Sequence, residues 1–288
     1  MDIIRADHFP YSFSMINCVR LMPSWDQTVF DHIMKRAQTQ ALELVPSMIL
    51  GNDWDCLLNS TADLPANLAE ILNRYIITSI QSLTFGLNLN LADPTLNLDN
   101  RLQALCLLGK ATHCSLFVLG SPSQKKIDSS IGSIEQHSSL FAANCANMAS
   151  RLSGHGILAL EHNTLQQGAE YCNTLIEISN TVQAVKEMGV SNVGINLDTK
   201  CLIQELGEDF SLQGVLQNPE ICDHIVSIQV SHDFLGRSAP NHAVDLYSLM
   251  QFIDQRKVSV SLEEFGLLDD GLDPFVIKWR EATKLFFA

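Results

Sequence analysis

Short apolar runs that end in a polar residue recur along the second half of the chain. Each run has five or six residues and is bounded by turn-forming residues, which is the pattern of a strand buried on both faces. The polar ends lie 37, 31 and 34 residues apart, which matches one strand–helix–strand unit. They are Glu161, Asp198, Gln229 and Glu263. Successive parallel strands are therefore predicted to present polar side chains at their carboxyl ends.

Four further runs in the first half complete a set of eight predicted strands. Segments with helical periodicity alternate with the strands, which predicts parallel strands joined by crossover helices. Eight such units in 288 residues favour an α/β fold, a single (β/α)8 TIM barrel with residues 1–288 as one domain. No Gly-x-Gly-x-x-Gly motif follows a strand, which disfavours a dinucleotide-binding sheet. The predicted strands are Tyr11–Asn17, Ala41–Val45, Tyr75–Gln81, Ser115–Leu119, Ile157–Glu161, Val193–Leu197, Ile225–Val230 and Val258–Glu263.

Apolar residues at helical spacing predict the crossover helices. Six are Asp26–Gln38, Asn100–Ala111, Ser138–Leu152, Gln167–Met188, His242–Gln255 and Pro274–Phe287, and a seventh is expected between Leu202 and Pro219. The proline of the last helix is expected in its first turn, where its missing N–H costs no hydrogen bond. Three long loops follow strands and are expected to crowd the rim where barrel active sites lie. These loops are Ser47–Asn67, Thr84–Asn97 and Gly120–Ser133.

Charge and cysteine usage narrow the class of protein. The chain has 18 basic and 32 acidic side chains, a net charge of −14, so nucleic acid and anionic membranes are poor partners. Its eight cysteines form no Cys-x-x-Cys pair and lie mostly in apolar context, which is typical of free buried thiols. The first residues lack the apolar region of a signal peptide, and no run is long enough to span a membrane. A cytoplasmic protein is therefore expected.

Three of the four strand-end residues are carboxylates, and their expected convergence suggests a metal centre. A single acid at such a position would as readily cap a helix or pair with an arginine, and Asp198-Thr199 suits a cap. Several buried carboxylates cannot all stay ionised together without a cation or a shared proton. We therefore predict that the four strand-end residues hold a divalent cation, with Mg²⁺ or Mn²⁺ the best match for oxygen ligands. Gln229 would contribute its side-chain carbonyl.

Other polar residues on the same expected rim are candidates for substrate contacts. A hydroxyl-rich substrate needs many hydrogen-bond donors and acceptors, so several of these residues are expected to bind a sugar. The plainer alternative at each position is a surface loop side chain or a solvated patch. No Gly-x-Ser-x-Gly elbow supports a serine hydrolase. The candidates are Glu43, Gln81, His162, Asn163, Cys201 and His232.

The segments at the strand ends resemble the xylose-isomerase-like TIM-barrel superfamily, and in particular an uncharacterised subgroup of sugar-phosphate isomerases and epimerases. The similar segments are Leu158-Ala-Leu-Glu-His-Asn163, Asn196-Leu-Asp-Thr199 and Val260-Ser-Leu-Glu263. The segment from Ser227 to Leu235 looks like one that usually contains His-x-His, and two loop segments, 81–86 and 117–122, resemble the subgroup. The resemblance spans most of the chain.

This resemblance implies a divalent-metal-dependent isomerase or epimerase that acts on a sugar or sugar phosphate. The family's metal ligands carry over to the four strand-end residues. Glu161 and Glu263 would be the catalytic base and acid, moving a proton next to a carbonyl through a metal-stabilised enediolate. Asp198 would be a ligand alone, and a homodimer is one expected assembly.

Two positions depart from the family pattern. Gln229 stands where the family has a metal-binding histidine, and Cys201 stands where many members have a substrate-binding histidine. His232 stands where the subgroup has a glutamate. The departures keep two alternatives open: a sugar-binding or regulatory barrel with a degenerate metal site, and a metal-dependent dehydratase acting on a keto sugar or keto-cyclitol.

Overall fold

The strands of the protein close into a parallel barrel. The computed structural model describes residues 11–20, 22, 24–51, 54–59, 64–265 and 269–287. Within them, eight strands pair in sequence order, and the first also pairs with the last. The predicted (β/α)8 barrel and all eight predicted strands are confirmed. The strands are β1 (Ser12–Ser14), β2 (Ala41–Leu44), β3 (Ile76–Gln81), β4 (Leu116–Leu119), β5 (Ile157–Glu161), β6 (Val193–Asp198), β7 (Ile225–Val230) and β8 (Ser259–Leu262).

Helices connect the strands and pack around them. Their ends follow local chemistry; for example, the Asp26 side chain accepts the amide hydrogens of Thr28 and Val29 at the start of the first helix. The described helices are α1 (Gln27–Ala37), α2 (Pro46–Leu50), α3 (Asp55–Asn59), α4 (Ala66–Arg74), α5 (Asp99–Thr112), α6 (Ile134–Arg151), α7 (Leu175–Glu187), α8 (Thr199–Leu206), α9 (Leu212–Gln217), α10 (Pro219–Cys222), α11 (His232–Leu235), α12 (His242–Arg256) and α13 (Asp269–Phe287). Short 3₁₀ turns span Met15–Cys18, Pro122–Gln124 and Leu165–Gln167.

Several helix and loop predictions differ from the structure. The predicted helix from Gln167 begins only at Leu175, because Thr174 and Glu177 form a capping box there. The last helix starts one turn earlier than predicted, so Pro274 lies inside it. The predicted loop 47–67 contains most of α2, all of α3 and the start of α4. Helices of five residues are too short to display a helical period, so the pattern does not reveal them.

The main apolar core lies between the strands and the helices. Phe117 of β4 packs outward against α5, where Gly109 leaves room for its ring; a Cβ on that glycine would lie 2.8 Å from the ring. Because side chains alternate along a strand, Leu116 and Val118 face the opposite way, into the barrel. There they form a separate small cluster with Ala159. Apolar side chains therefore form only a small cluster inside the barrel.

The rest of the barrel interior is polar, which is unusual because bulky aliphatic side chains generally fill such barrels. Alternate strand positions carry small or hydrogen-bonding side chains, and these are almost completely buried. They are Ser14, Glu43, Ser79, Gln81, Asn196, Ser227, Gln229 and Ser261. Strand register puts Asp198 beside Gln229 and Gln229 beside Ser261, so the polar ends share one rim.

A fully buried ion pair fastens the loop after α11 to the barrel's outer layer. Arg237 Nη1 lies 3.4 Å from Asp245 Oδ2, and neither side chain is exposed to solvent. Arg237 also donates to the Phe210 carbonyl at 2.9 Å, and Asp245 accepts the Gln213 amide at 3.1 Å. Replacing Asp245 with alanine should lower the free energy of unfolding by about 3–5 kcal/mol, because the buried guanidinium of Arg237 would lose its opposite charge. Urea denaturation measures this, and a loss under about 1 kcal/mol would contradict it.

The described helices include none that is both long enough and apolar enough to cross a membrane. The described residues include all eight cysteines, and seven of them, all but Cys56, are free thiols.

Candidate active site

A cavity of about 750 Å³ opens at the carboxyl ends of the strands. The loops after β3 and β4 form part of its wall, as expected for the long loops at this rim. Glu161, Asp198 and Glu263 all line it. The structure therefore brings three of the four strand-end residues to one site.

Glu161 sits at the end of β5 with its carboxylate held by neighbouring amides. Asn163 Nδ2 donates to Glu161 Oε1 at 2.8 Å, and Asn196 Nδ2 approaches the other oxygen at 3.4 Å. Gly120 allows this position, since a Cβ there would lie 2.7 Å from the carboxyl group. Burial, and then the nearby Asp198 carboxylate, raise the pKa of Glu161 to about 8, against an opposing effect of Lys125.

Asp198 ends β6 and caps α8. Its Oδ1 accepts the Lys200 amide at 2.7 Å, and the Cys201 thiol donates to its Oδ2 at 3.0 Å. Burial raises the pKa of Asp198 in spite of these hydrogen bonds. Three potential metal-ligand atoms, one each from Glu161, Asp198 and Cys201, lie within 4.8 Å of one another. These three buried side chains form a compact group of potential metal ligands on the β5–β6 side of the cavity.

Glu263 follows β8 and forms a second group with Glu43. Two side-chain amides bridge the two carboxylates: Gln81 Nε2 donates to Glu263 at 2.8 Å and to Glu43 at 3.2 Å. Gln229 Nε2 donates to Glu263 at 2.7 Å and to Glu43 at 3.0 Å. Burial, and then the charge of Glu43, raise the pKa of Glu263 well above its usual range.

Gln229 lies beneath the cavity and is not among its lining residues. Its side-chain oxygen accepts a short hydrogen bond from Asn196, and its nitrogen bridges Glu43 and Glu263. Every polar atom of this side chain is therefore engaged within the barrel. The predicted role of its oxygen as a metal ligand stays a prediction, and in this arrangement Asn196 competes with the ion for that oxygen.

The structure separates the six candidates for substrate contacts. Gln81 and Asn163 line the cavity, whereas Glu43 and Cys201 are buried behind its wall. His162 is fully buried away from the cavity lining; its Nε2 lies 3.3 Å from Glu205, and burial lowers its pKa to about 3. Strand alternation explains this, because His162 follows the inward-facing Glu161 and so points outward.

His232 also lies away from the cavity lining. Its Nε2 is 3.2 Å from Lys278 Nζ, and its ring meets Phe275 edge to face. Burial and the charge of Lys278 lower its pKa. The structure therefore gives no support to direct substrate contacts by His162 or His232.

Three residues that shape the site were absent from the predicted set. Asn196 connects Glu161 to Gln229, and Lys200 reaches the cavity while paired with Glu264. Lys125 is fully buried and donates to the Glu161 backbone carbonyl at 3.1 Å. The signal for Asn196 is its two-residue spacing from Asp198, which puts both on the same face of β6.

The donor set fits a divalent cation. Three carboxylates of raised pKa lie around one cavity, and two of them, Glu161 and Asp198, are buried. A bound cation would relieve the repulsion between their charges. Glu161, Asp198 and Cys201 could hold the ion from one side, with Glu263 facing the same cavity.

The raised carboxyl pKa values predict how the metal-free protein responds to pH. Native Glu161, with a pKa of about 8, keeps a proton that the unfolded chain loses near its ordinary pKa of about 4.3. The native state thus binds more protons across this window, so stability should fall as pH rises from about 5 to 8. Chelator-treated protein tests this in denaturation midpoints. Glu161→Gln should weaken the dependence without removing it, and stability that rises with pH would contradict the assignment.

No protein-family model and no curated protein sequence matches the chain. Solved structures do match. A 3-keto-D-glucoside 4-epimerase from E. coli, in apo form, is 13% identical over 90% of this chain and 95% of its own, with a TM-score of 0.59. A D-psicose 3-epimerase from Clostridium cellulolyticum H10, with D-tagatose, is 14% identical over 97% and 98%, with a TM-score of 0.62.

A third match is a D-allulose 3-epimerase from Methylomonas sp. in complex with D-allulose. It is 15% identical over 97% of this chain and 94% of its own, with a TM-score of 0.57. These identities are low, but the alignments run nearly end to end in both proteins. The chain therefore shares the barrel fold of these proteins.

Proposed function

We propose that this protein is a divalent-cation-dependent isomerase or epimerase of a sugar that carries a ketone. The observation that supports it most is the meeting of Glu161, Asp198 and Glu263 in one cavity at the carboxyl ends of the strands. Structural neighbours that align over nearly the whole chain are named for epimerases of keto sugars. The Mg²⁺ or Mn²⁺ expected from the sequence is part of this proposal.

The charge of the cavity favours a neutral sugar over a sugar phosphate. Lys200 is the only cationic side chain among the described lining residues, and Glu264 already neutralises it. Three carboxylates face the same space, so a phosphate dianion would meet net repulsion. Amides and hydroxyls of the wall, such as those of Gln81 and Asn163, can exchange hydrogen bonds with sugar hydroxyl groups.

In the proposed mechanism the two glutamates move the proton. Glu161 and Glu263 belong to strands three places apart in the barrel, so they would approach the reacting carbon from different sides. One takes the proton from the carbon next to the ketone, and the other returns a proton on the opposite face. A bound cation would supply polarisation of the ketone. Asp198 would hold this cation, and Asn163 orients Glu161.

The hydrogen bonds formed by Gln229 favour one alternative function, in which the metal site is weakened. Because its oxygen accepts a hydrogen bond from Asn196, it is a poorer ligand than the imidazole expected in the family. A sugar-binding or regulatory barrel with a weakened metal site would have this property. A dehydratase on a keto sugar would use the same carboxylates to remove water.

Proton exchange with deuterated water distinguishes these functions. The protein, loaded with Mg²⁺ or Mn²⁺, is incubated with D-psicose, D-tagatose, D-fructose and a 3-keto-glucoside, and the products are followed by NMR. An epimerase gives deuterium at the carbon beside the ketone together with the epimer, and a dehydratase gives loss of water. Binding of a sugar in calorimetry without any exchange would overturn the enzyme proposal in favour of a binding barrel.

A further inference from the structure

We infer that the cation site of this chain is formed by Glu161, Asp198 and Cys201, and that its thiolate ligand selects Zn²⁺ or Co²⁺ over Mg²⁺. The inference rests on the cation dependence in the proposed function, and it revises which residues and which ion are involved. It concerns binding of the metal alone and does not require turnover.

Glu161, Asp198 and Cys201 lie close enough together to share one ion. One potential ligand atom from each of the three residues lies within 4.8 Å of the others. Glu161, Asp198 and Cys201 are 7%, 6% and 0% exposed, so an ion among them would be largely shielded from water. Small side-chain rotations would bring these atoms to Zn²⁺ distances of about 2.0–2.3 Å.

The backbone at the start of α8 holds Cys201 beside Asp198. Asp198 is the N-cap of α8, and Cys201 lies three residues later, so its side chain points back toward the cap. The Cys201 Sγ to Asp198 Oδ2 distance of 3.0 Å records this approach. The thiol is therefore held beside the carboxylate by the first turn of a helix, and binding an ion needs little reorganisation of the backbone.

The other candidate ligands, Gln229 and Glu263, already form hydrogen bonds with each other and with their neighbours. Gln229 uses its oxygen for Asn196 and its nitrogen for two carboxylates. Glu263 Oε2 accepts from Ser14, Gln81 and Gln229 at 2.7–2.9 Å. Binding an ion through Gln229 or through this Glu263 oxygen would break a hydrogen-bond network, and each lost bond leaves an unpaired polar atom. The ion is favoured on the β5–β6 side instead.

A thiolate ligand at Cys201 would favour some divalent cations over others. A thiolate is a soft ligand that binds Zn²⁺ and Co²⁺ well and Mg²⁺ poorly. The thiol gives its proton to solvent when it binds the ion. Gln167 Nε2 lies 3.3 Å from Cys201 Sγ and can donate to the thiolate, which stabilises its charge. Three protein ligands beside an open cavity leave a coordination position free, as in catalytic zinc sites.

Cobalt spectroscopy of the full chain tests the inference. Charge transfer from a thiolate to Co²⁺ absorbs in the near ultraviolet, so titrating metal-free protein with Co²⁺ should give this band. Cys201→Ser should abolish it and weaken Zn²⁺ binding by at least about tenfold, since even indirect partners of a metal site cost 10–100-fold. The matched control is Cys222→Ser, because Cys222 sits at the surface beside Asp223 and should leave the band unchanged.

The outcomes separate this inference from the proposed function. Co²⁺ that binds without the band, equally in wild type and Cys201→Ser, would overturn the thiolate site while leaving a cation-dependent enzyme intact. Loss of the band in Cys222→Ser would also overturn it. If the protein binds none of Co²⁺, Zn²⁺ and Mg²⁺, both the thiolate site and the cation-dependent enzyme are contradicted. If Cys201→Ser does not fold, X-ray absorption of the Zn²⁺-loaded wild type decides, by a sulfur neighbour at about 2.3 Å or none.

Discussion

Replacing Glu161 with glutamine is expected to lower turnover by about 10²–10⁴-fold, the range over which a positioned acid or base accelerates proton transfer. The variant keeps the shape of the side chain and an oxygen for the Asn163 hydrogen bond, but it cannot take up a proton and binds a cation less well. Epimer formation from a keto sugar, followed by NMR, measures the effect.

Stability separates this chemical role from a structural one. The wild-type carboxyl has a raised pKa because burial penalises its charge, so glutamine should leave the metal-free protein as stable as wild type or more so at pH 8. Glu187→Gln is the matched control, since Glu187 lies exposed at the end of α7 and should keep normal activity. Normal activity of Glu161→Gln, or loss of activity together with the fold, would contradict the assignment.

Replacing Glu263 with glutamine is expected to cause a second loss of about 10²–10⁴-fold in conversion between epimers. Glu263 and Glu161 occupy different sides of the cavity, so each should serve one face of the reacting carbon. Without Glu263, the epimer whose proton faces Glu161 should still exchange that proton with deuterated water, although no product forms. The two variants should therefore show opposite preferences for the epimer that exchanges.

This reciprocity is the outcome that tests the assignment most severely. If both variants exchange the same epimer, or if Glu263→Gln converts the substrate normally, Glu263 is not the second proton carrier. Its carboxylate would then serve the Gln81 and Gln229 hydrogen-bond network. Glu187→Gln again serves as the control for purification and folding.

Hydrophobic patterning was sufficient for the barrel because strands and helices bury their apolar positions with different periods. The eight strands lie where apolar runs end in turn residues, and the helix from Gln27 to Ala37 lies within its predicted segment. The patterning failed at α2 and α3, each of five residues, and at the start of α7, where a capping box decides the boundary.

The polar interior could be inferred only in part. The sequence predicts Glu161, Asp198 and Glu263 as site residues because each ends an apolar run, and they do line one cavity. Asn196 was not among the predicted site residues, although it alternates with Ile195 and Leu197 in the pattern of a strand with one polar face. The outward position of His162 was likewise implied by its place directly after Glu161.

The sequence by itself determined the barrel architecture, because the alternation of strands with helices follows from local apolar patterns. It also determined the rim where the carboxylates lie, because the place of a residue along its strand fixes the end and the face at which its side chain lies. Only the tertiary structure decided how the donors divide between two groups. That division depends on contacts between strands far apart in the chain, since Gln229 bridges Glu43 and Glu263. Hydrogen-bond geometry within a crowded interior sets such pairings, and no one-dimensional spacing encodes it.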